Sequence, residues 1–258
     1  MTDVTGGIGT GLATRGVWEI SKAALKKLLS WRYRRVFGED VFEGNMHLVY
    51  ALLNPPKAVN TAGEPVKHIF SKPGNGGGLF SISEAVSVCE VRAVTYLAES
   101  VASNTRSWVA LRSAKELGSK LDLSYISLGL MSNDKTVDLL RNDGNLFVAF
   151  KDDRIVSKLS GRTIIAPAPE SQKIDYGMIL KIHPTSARER NWICCGGYGE
   201  WGTSGAAWYL ARRWRDIRKK FGNRPFIVFV QVEDGRDESA NDIINAGTVE
   251  ELEKQARG

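Results

Sequence analysis

The residue types best suited to ligand chemistry are concentrated in a glycine-rich turn late in the chain. Residues 196–205 read GGYGEWGTSG, with five glycines in ten positions, between a predicted strand and a predicted helix. Glycine lets a backbone approach a ligand closely, and the free N–H groups of a helix start favour phosphate or another anion. We predict contact with a ligand phosphate or ribose through Gly196, Gly197, Gly199, Gly202, Thr203 and Ser204.

Thr203 and Ser204 stand where we expect the following helix to begin, so we predict that they cap it and offer their hydroxyls. The turn is not a Walker loop, because no lysine follows the last glycine. Residues 197–202 match G-x-G-x-x-G, but no convincing acidic residue follows a strand some 20 positions later, as a dinucleotide fingerprint needs. A tight turn that only packs is the structural alternative.

A second turn has similar chemistry and also follows a predicted strand. It is Gly129–Asn133, in which Ser132 and Asn133 precede a short predicted helix. Since ligands of open α/β sheets bind at the carboxyl ends of strands, we predict that these two residues face the same ligand as the glycine-rich turn. A plain helix cap is the alternative interpretation. The helix start at Ser81–Glu84 is a candidate third wall.

Two carboxylates and one indole near these turns are the remaining candidates. Glu200 lies inside the glycine-rich turn and Asp175 at the start of a predicted strand, so either could act as a general acid or base or bind a ribose hydroxyl. A solvated loop carboxylate for Glu200, and a local backbone cap for Asp175, are the alternatives. Trp201 is the candidate for stacking on a base.

The sequence argues against a metal site and against a disulfide framework. The three histidines, His47, His68 and His183, are far apart, and Cys194-Cys195 has no matching second pair. Three cysteines are an odd count, which favours a reducing cytoplasm. Cysteine nucleophiles are disfavoured, because the adjacent pair falls within a strand expected to be buried.

The elements that must position these residues alternate between strand and helix. We predict strands over residues 46–53, 108–111, 123–128, 177–182, 192–195 and 226–232, with a hairpin turning at Asp152-Asp153. Several strands are continuous apolar runs, as in sheets covered on both faces. The expected fold is a three-layer, Rossmann-like α/β domain with a mostly parallel sheet, helices on both faces and an N-terminal helical extension.

The positive charge lies mainly at one end of the chain. The net charge is +6, but residues 1–37 hold seven basic and two acidic residues, so the rest is nearly neutral. We therefore divide the chain into a flexible start with a basic amphipathic helix (1–40), a Rossmann-like domain (41–235) and a polar C-terminal tail (236–258). The helix, predicted over 17–36, either docks on the surface of the domain or serves a protein partner or a homo-oligomer; membrane-surface or nucleic-acid contact is less favoured.

The turns together resemble a family of largely uncharacterised bacterial Rossmann-like proteins. The shared pattern is Gly-x-x-Ser-Asn after a strand, Asp-Tyr-Gly before a strand, and Gly-Gly-x-Gly-x-x-Gly-Thr opening a helix. It occurs here at Gly129–Asn133, Asp175–Gly177 and Gly196–Thr203, within residues 46–232. A looser similarity links the chain to the SLOG-like group, which includes the lysine-decarboxylase-like (LOG) and DNA-processing (Smf/DprA) families.

This resemblance implies a nucleotide-sensing role in bacterial conflict systems, such as antiviral defence, or a phosphoribohydrolase activity. The chain departs from the enzymatic branch, which carries Pro-Gly-Gly-x-Gly-Thr and then a catalytic glutamate. Here two residues are inserted before Gly202-Thr203, and the next four residues, Ser204–Ala207, contain no glutamate. The resemblance therefore implies nucleotide-type binding more directly than hydrolysis.

We predict a cytoplasmic protein that binds a nucleotide or a nucleotide-derived molecule. No cofactor is expected to be required, and NAD-derived ligands belong to the expected class. An enzyme that cleaves an N-glycosidic or phosphoribosyl bond is the first alternative, and a non-catalytic interaction module is the second. No apolar run has the ~18–20 residues that would span a bilayer, and no secretory signal is recognisable.

Overall fold

The fold is described from a computed structural model. It covers residues 31–53, 58–59, 65–66, 69–71, 79–81, 84–105, 107–169 and 171–257. Most of the predicted N-terminal helix therefore lies outside the described residues, and only its end, α1 (residues 31–37), can be compared with the prediction. Within the described ranges, no helix combines the length and the apolar character needed to cross a membrane.

The centre of the fold is a seven-stranded sheet, and the prediction of an α/β fold with a mostly parallel sheet is confirmed. Its strand order is β14-β13-β11-β12-β7-β1-β6. The seven strands are β1 (Met46–Tyr50), β6 (Ala110–Ser113), β7 (Ser124–Leu128), β11 (Ile174–Ile182), β12 (Trp192–Gly197), β13 (Phe226–Glu233) and β14 (Arg236–Ala246).

Strand direction divides the sheet into two parts. Strands β6, β1, β7 and β12 pair in parallel, whereas β11, β13 and β14 are added by antiparallel pairing. The chain leaves β1 towards β6 on one side and leaves β7 towards β12 on the other. The connections thus diverge between β1 and β7, and this is the place where open α/β sheets form a ligand crevice beyond their carboxyl ends.

Smaller strands and the helices complete the described structure. Two short hairpins, β2 (Ala58–Val59) with β3 (Pro65–Val66) and β4 (Ile69–Ser71) with β5 (Leu79–Ser81), follow β1. The predicted hairpin at Asp152-Asp153 is present as β8 (Val148–Lys151) and β9 (Arg154–Ser157), extended by β10 (Thr163–Ile165). The helices after α1 are α2 (Asp40–Glu43), α3 (Val88–Asn104), α4 (Ala114–Leu117), α5 (Asp134–Arg141), α6 (Glu200–Phe221) and α7 (Val249–Gln255).

Two clusters of buried side chains hold these elements together, because successive strand residues point to opposite faces of the sheet. Ile193 and Cys195 of β12 join a cluster with α1, α3 and α6. Trp192 and Cys194 join a second cluster, which includes α5, α7 and the β8–β9 hairpin. Helices therefore contribute buried side chains to both clusters.

The C-terminal segment expected as a polar tail is part of this fold. Residues 236–246 form the edge strand β14, which pairs with β13, and α7 packs against β14. Ile244, Ala246 and Leu252 are buried in the second cluster. The proposed boundary at residue 235 is therefore corrected, because this segment contributes both sheet hydrogen bonds and core side chains.

Candidate functional site

The glycine-rich turn is shorter than the sequence indicated, because helix α6 begins inside it. Gly199 is the N-cap residue and α6 runs from Glu200. Thr203 and Ser204 are buried in the second turn of the helix and do not cap it. The Thr203 hydroxyl accepts a hydrogen bond from Gly197 N–H at 3.0 Å, which ties the helix to the end of β12. Ser204 Oγ donates to Asp237 Oδ1. Both hydroxyls, which the sequence predicted to contact a ligand, therefore make hydrogen bonds within the protein.

A carboxylate from the neighbouring strand occupies the start of α6. Asp175 of β11 is largely buried. Its Oδ1 accepts from Gly199 N–H at 3.1 Å, and its Oδ2 accepts from Gly202 N–H at 2.7 Å. Oδ1 also accepts from Tyr176 N–H. Asp175 thus supplies the negative charge that a helix start favours, which supports the capping alternative for this residue and leaves the Gly199 and Gly202 N–H groups bonded to a carboxylate.

The glycines of the turn allow helix α6 to lie directly on the sheet backbone. A Cβ on Gly202 would overlap the Tyr176 carbonyl oxygen, and a Cβ on Gly197 would overlap the backbone of Gly202. A Cβ on Gly196 would come within 2.8 Å of the Gly129 carbonyl oxygen. For these positions the packing interpretation is the one that the contacts support.

The second turn has one structural residue and one accessible residue. Asn133 is fully buried and caps α5, since its Oδ1 accepts from Lys135 N–H. Its Nδ2 donates to the carbonyls of Val49 and Leu128, which joins the ends of β1 and β7. All of its hydrogen-bonding groups are therefore used internally, which corrects the expected ligand contact. Ser132 is exposed beside it.

A buried glutamate that the sequence interpretation did not select lies at the divergence between β1 and β7. Glu90, in the first turn of α3, is only 3% exposed. Its Oε2 accepts from Ala51 N–H, at the end of β1, at 3.0 Å. The described residues give its Oε1 no hydrogen bond. Glu90 thus brings a partly satisfied carboxyl to the crevice beyond the carboxyl ends of these strands.

Gly129 makes room for two polar atoms at this crevice. A Cβ on Gly129 would lie 2.9 Å from Ser132 Oγ and 3.1 Å from Glu90 Oε1. Gly129 has a positive φ of 91°, a conformation that glycine adopts without strain. The absence of a side chain at Gly129 therefore leaves space that both Ser132 Oγ and Glu90 Oε1 border. We call Glu90, Gly129 and Ser132 the switch crevice, because they lie where the connections of β1 and β7 diverge to opposite sides of the sheet.

Burial changes the acidity of this glutamate. Desolvation raises the pKa of Glu90 to about 7, and the hydrogen bond from Ala51 offsets only part of that rise. Near neutral pH, the carboxyl is therefore divided between its protonated and ionised forms. A carboxyl with such a pKa can donate or accept a proton at physiological pH, and perturbed groups of this kind are common at functional sites.

A polar network joins Arg92 of α3 to α6 and β14. Arg92, one position past the first turn of α3, donates from Nε to the buried Asp237 at 2.9 Å and from Nη2 to Ser204 at 3.0 Å. Tyr96 also donates to Asp237. The Arg92 guanidinium lies over the Trp201 ring at 4.1 Å. One face of Trp201 is therefore covered, and only its other face remains for the predicted stacking on a base.

The remaining predicted groups are either exposed or inert. Glu200 is exposed at the first position of α6. All three cysteines are free and buried, and burial raises the pKa of Cys194 to about 12, so this thiol is a poor nucleophile at neutral pH. The described part of the chain holds no group of three or more His, Cys, Asp or Glu side chains arranged for a metal ion.

Parts of the predicted site lie outside the described residues. Of the candidate wall Ser81–Glu84, the backbone of Ser81 ends β5, Glu84 is exposed, and residues 82–83 are not described. His68 is likewise outside the described residues.

Glu90 had a signal in the sequence that was not used. It lies in the first turn of the helix that follows the first long strand, where an open α/β sheet places its ligand. Helical spacing also places it on the buried face of α3, since Ala93, Leu97 and Val101 follow it at i+3, i+7 and i+11.

Comparison with known proteins does not assign the chain to a family. No protein-family model, curated protein or solved structure matches the chain. The functional argument therefore depends on the site itself.

Proposed function

We propose that the chain binds a nucleotide or a nucleotide-derived small molecule in the switch crevice of a Rossmann-like, three-layer domain. The carrying observation is the buried Glu90 carboxyl, whose Oε1 faces Ser132 across the space left by Gly129. A carboxyl beside a hydroxyl suits a ligand rich in hydroxyl groups, such as a ribose, because each can accept a hydrogen bond.

In this proposal the ligand phosphate does not lie at the glycine-rich turn, where the sequence predicted it. Helices α5 and α6 start at this edge with internal caps, Asn133 and Asp175. Helix α3 starts at the same edge, and the side chain of its N-cap Ser87 makes no capping hydrogen bond. We place a ligand phosphate at the start of α3.

Calorimetry tests this proposal with a panel of nucleosides, mono-, di- and cyclic nucleotides, NAD and ADP-ribose. We expect at least one to bind, and Glu90→Gln to weaken it by about tenfold, the usual effect of losing a hydrogen bond to a charged group. Glu200→Gln is the matched control, since it removes an exposed carboxylate at the same edge. Folded protein that binds none of these compounds would refute the proposal.

A second function is favoured by the acidity of Glu90. A glutamate with a pKa of about 7 can protonate a leaving base or activate water, so we also propose cleavage of an N-glycosidic bond as the candidate reaction. Chromatography for free base after incubation with the bound nucleotide tests it. Activity should disappear in Glu90→Gln and persist in Glu200→Gln. Equal activity in wild type and Glu90→Gln would remove Glu90 from the mechanism.

A further inference from the structure

A second cavity lies at the opposite, amino edge of the parallel strands. Its volume is about 370 Å³, within the usual size range of small-molecule sites. Its walls come from the end of α1, from the chain just before β12 and from the chain between α6 and β13. We call it the basal cavity. It shares no residue with the switch crevice.

Two buried polar atoms on its lining residues have no hydrogen-bond partner among the described residues. One is Oδ1 of Asn191, a residue that is 3% exposed, and the other is Nε of Arg34. Burying an unsatisfied donor or acceptor costs about 1–3 kcal/mol. A ligand that accepts from Arg34 and donates to Asn191 would remove both costs.

The two arginines on the lining of the basal cavity differ in their pairing with carboxylates. Arg34 is neutralised by Glu39, since Nη1 lies 2.8 Å from Oε2. Arg35 stacks over Trp31 at 4.3 Å and pairs with no described carboxylate.

Buried Lys181 lies behind the cavity wall and orients one of the lining residues. It donates to Asn223 Oδ1 at 2.9 Å and to the Arg35 carbonyl at 3.4 Å, and no described carboxylate reaches it. Because Oδ1 of Asn223 is turned towards Lys181, the amide nitrogen of this lining residue remains as a further donor. The cavity therefore combines several donors, one guanidinium without a described carboxylate partner (Arg35) and one unsatisfied acceptor.

We propose that the basal cavity binds a small organic anion that carries a hydrogen-bond donor next to its charge, as hydroxy- and amino-carboxylates do. The carboxylate accepts from Arg34, Arg35 and the Asn223 amide. The adjacent hydroxyl or ammonium group donates to Asn191 Oδ1. Glu189, also on the lining, limits the net charge that the cavity accepts.

Three compounds of matched shape separate the parts of this proposal. Lactate and alanine carry a hydroxyl or an ammonium group beside the carboxylate, whereas propionate has neither. Calorimetry should show lactate or alanine binding at least tenfold more tightly than propionate, a difference of about 1.4 kcal/mol. Equal affinity for all three, or no binding of any at about 10 mM, would overturn the proposal.

Variants locate the binding. Arg35→Gln changes an exposed side chain of α1 and should weaken the bound carboxylate about tenfold, whereas Arg32→Gln, on the same helix but not on the lining, should leave affinity unchanged. Asn191→Leu should abolish the preference over propionate. If Asn191→Leu does not fold, Arg35→Gln and Arg32→Gln still test the proposal. Equal affinities of these two variants for the bound carboxylate would contradict binding in this cavity.

Discussion

Replacing Glu90 by glutamine should stabilise the folded protein at pH 8 and leave its stability nearly unchanged at pH 4.5. Burial raises the pKa of this carboxyl from 4.5 to about 7. Between these values the folded state keeps a proton that the unfolded state releases, so wild-type stability falls as pH rises through this window. The shift corresponds to about 3 kcal/mol, at 1.36 kcal/mol for each pKa unit. Glutamine cannot ionise and avoids this loss.

Urea unfolding of both proteins at several pH values between 4.5 and 8 measures the difference directly. The difference in unfolding free energy should grow with pH and level off above pH 7. Glu200→Gln is the control, because an exposed carboxylate should give no comparable growth. A wild-type and a Glu90→Gln protein with parallel stability profiles would refute the claim that Glu90 is buried in a desolvated environment.

Three further substitutions test the structural account, each by urea unfolding. Asp175→Ala removes the acceptor of the Gly199 and Gly202 N–H groups and should destabilise by about 2–3 kcal/mol. Gly202→Ala places a Cβ against the Tyr176 carbonyl and should cost at least about 1–3 kcal/mol. For Lys181, desolvation lowers the pKa from 10.5 to about 7, so wild-type stability should rise by up to about 5 kcal/mol from pH 7 to 10.5, and this rise should be absent in Lys181→Met. Unchanged stability in Asp175→Ala or in Gly202→Ala would contradict the contacts described for these residues. A Lys181→Met protein whose stability still rises between pH 7 and 10.5 would contradict the desolvation of the Lys181 amine.

The sequence predicts the strands of this fold well because most of them are covered on both faces. Residues 226–232 and 192–195 are continuous apolar runs, and both form central strands. Strand β14 is different, because it lies at an edge and pairs with β13 across two register shifts. These shifts interrupt the regular alternation of polar and apolar residues along the strand. The sequence of residues 236–246 therefore lacks the periodicity that predicts a strand.

The candidate site was harder to predict, because its residues depend on contacts between distant parts of the chain. Asp175 is 24 positions from Gly199, and only the packing of β11 beside β12 brings its carboxylate to the start of α6. Helical spacing places Glu90 on the buried face of α3, but only the tertiary contacts show that its carboxyl lies at the ends of β1 and β7. The sequence thus led to the edge of the sheet at which we place the proposed site, and to one residue there that is exposed, Ser132.

A crystal structure with a nucleotide from the calorimetric panel bound tests the central claim most directly. The account predicts ligand hydroxyls within hydrogen-bond distance of Glu90 and Ser132, and a phosphate at the start of α3. A phosphate held by the N–H groups of Gly199 and Gly202, with Asp175 displaced, would contradict it, as would a ligand that makes no contact with the switch crevice.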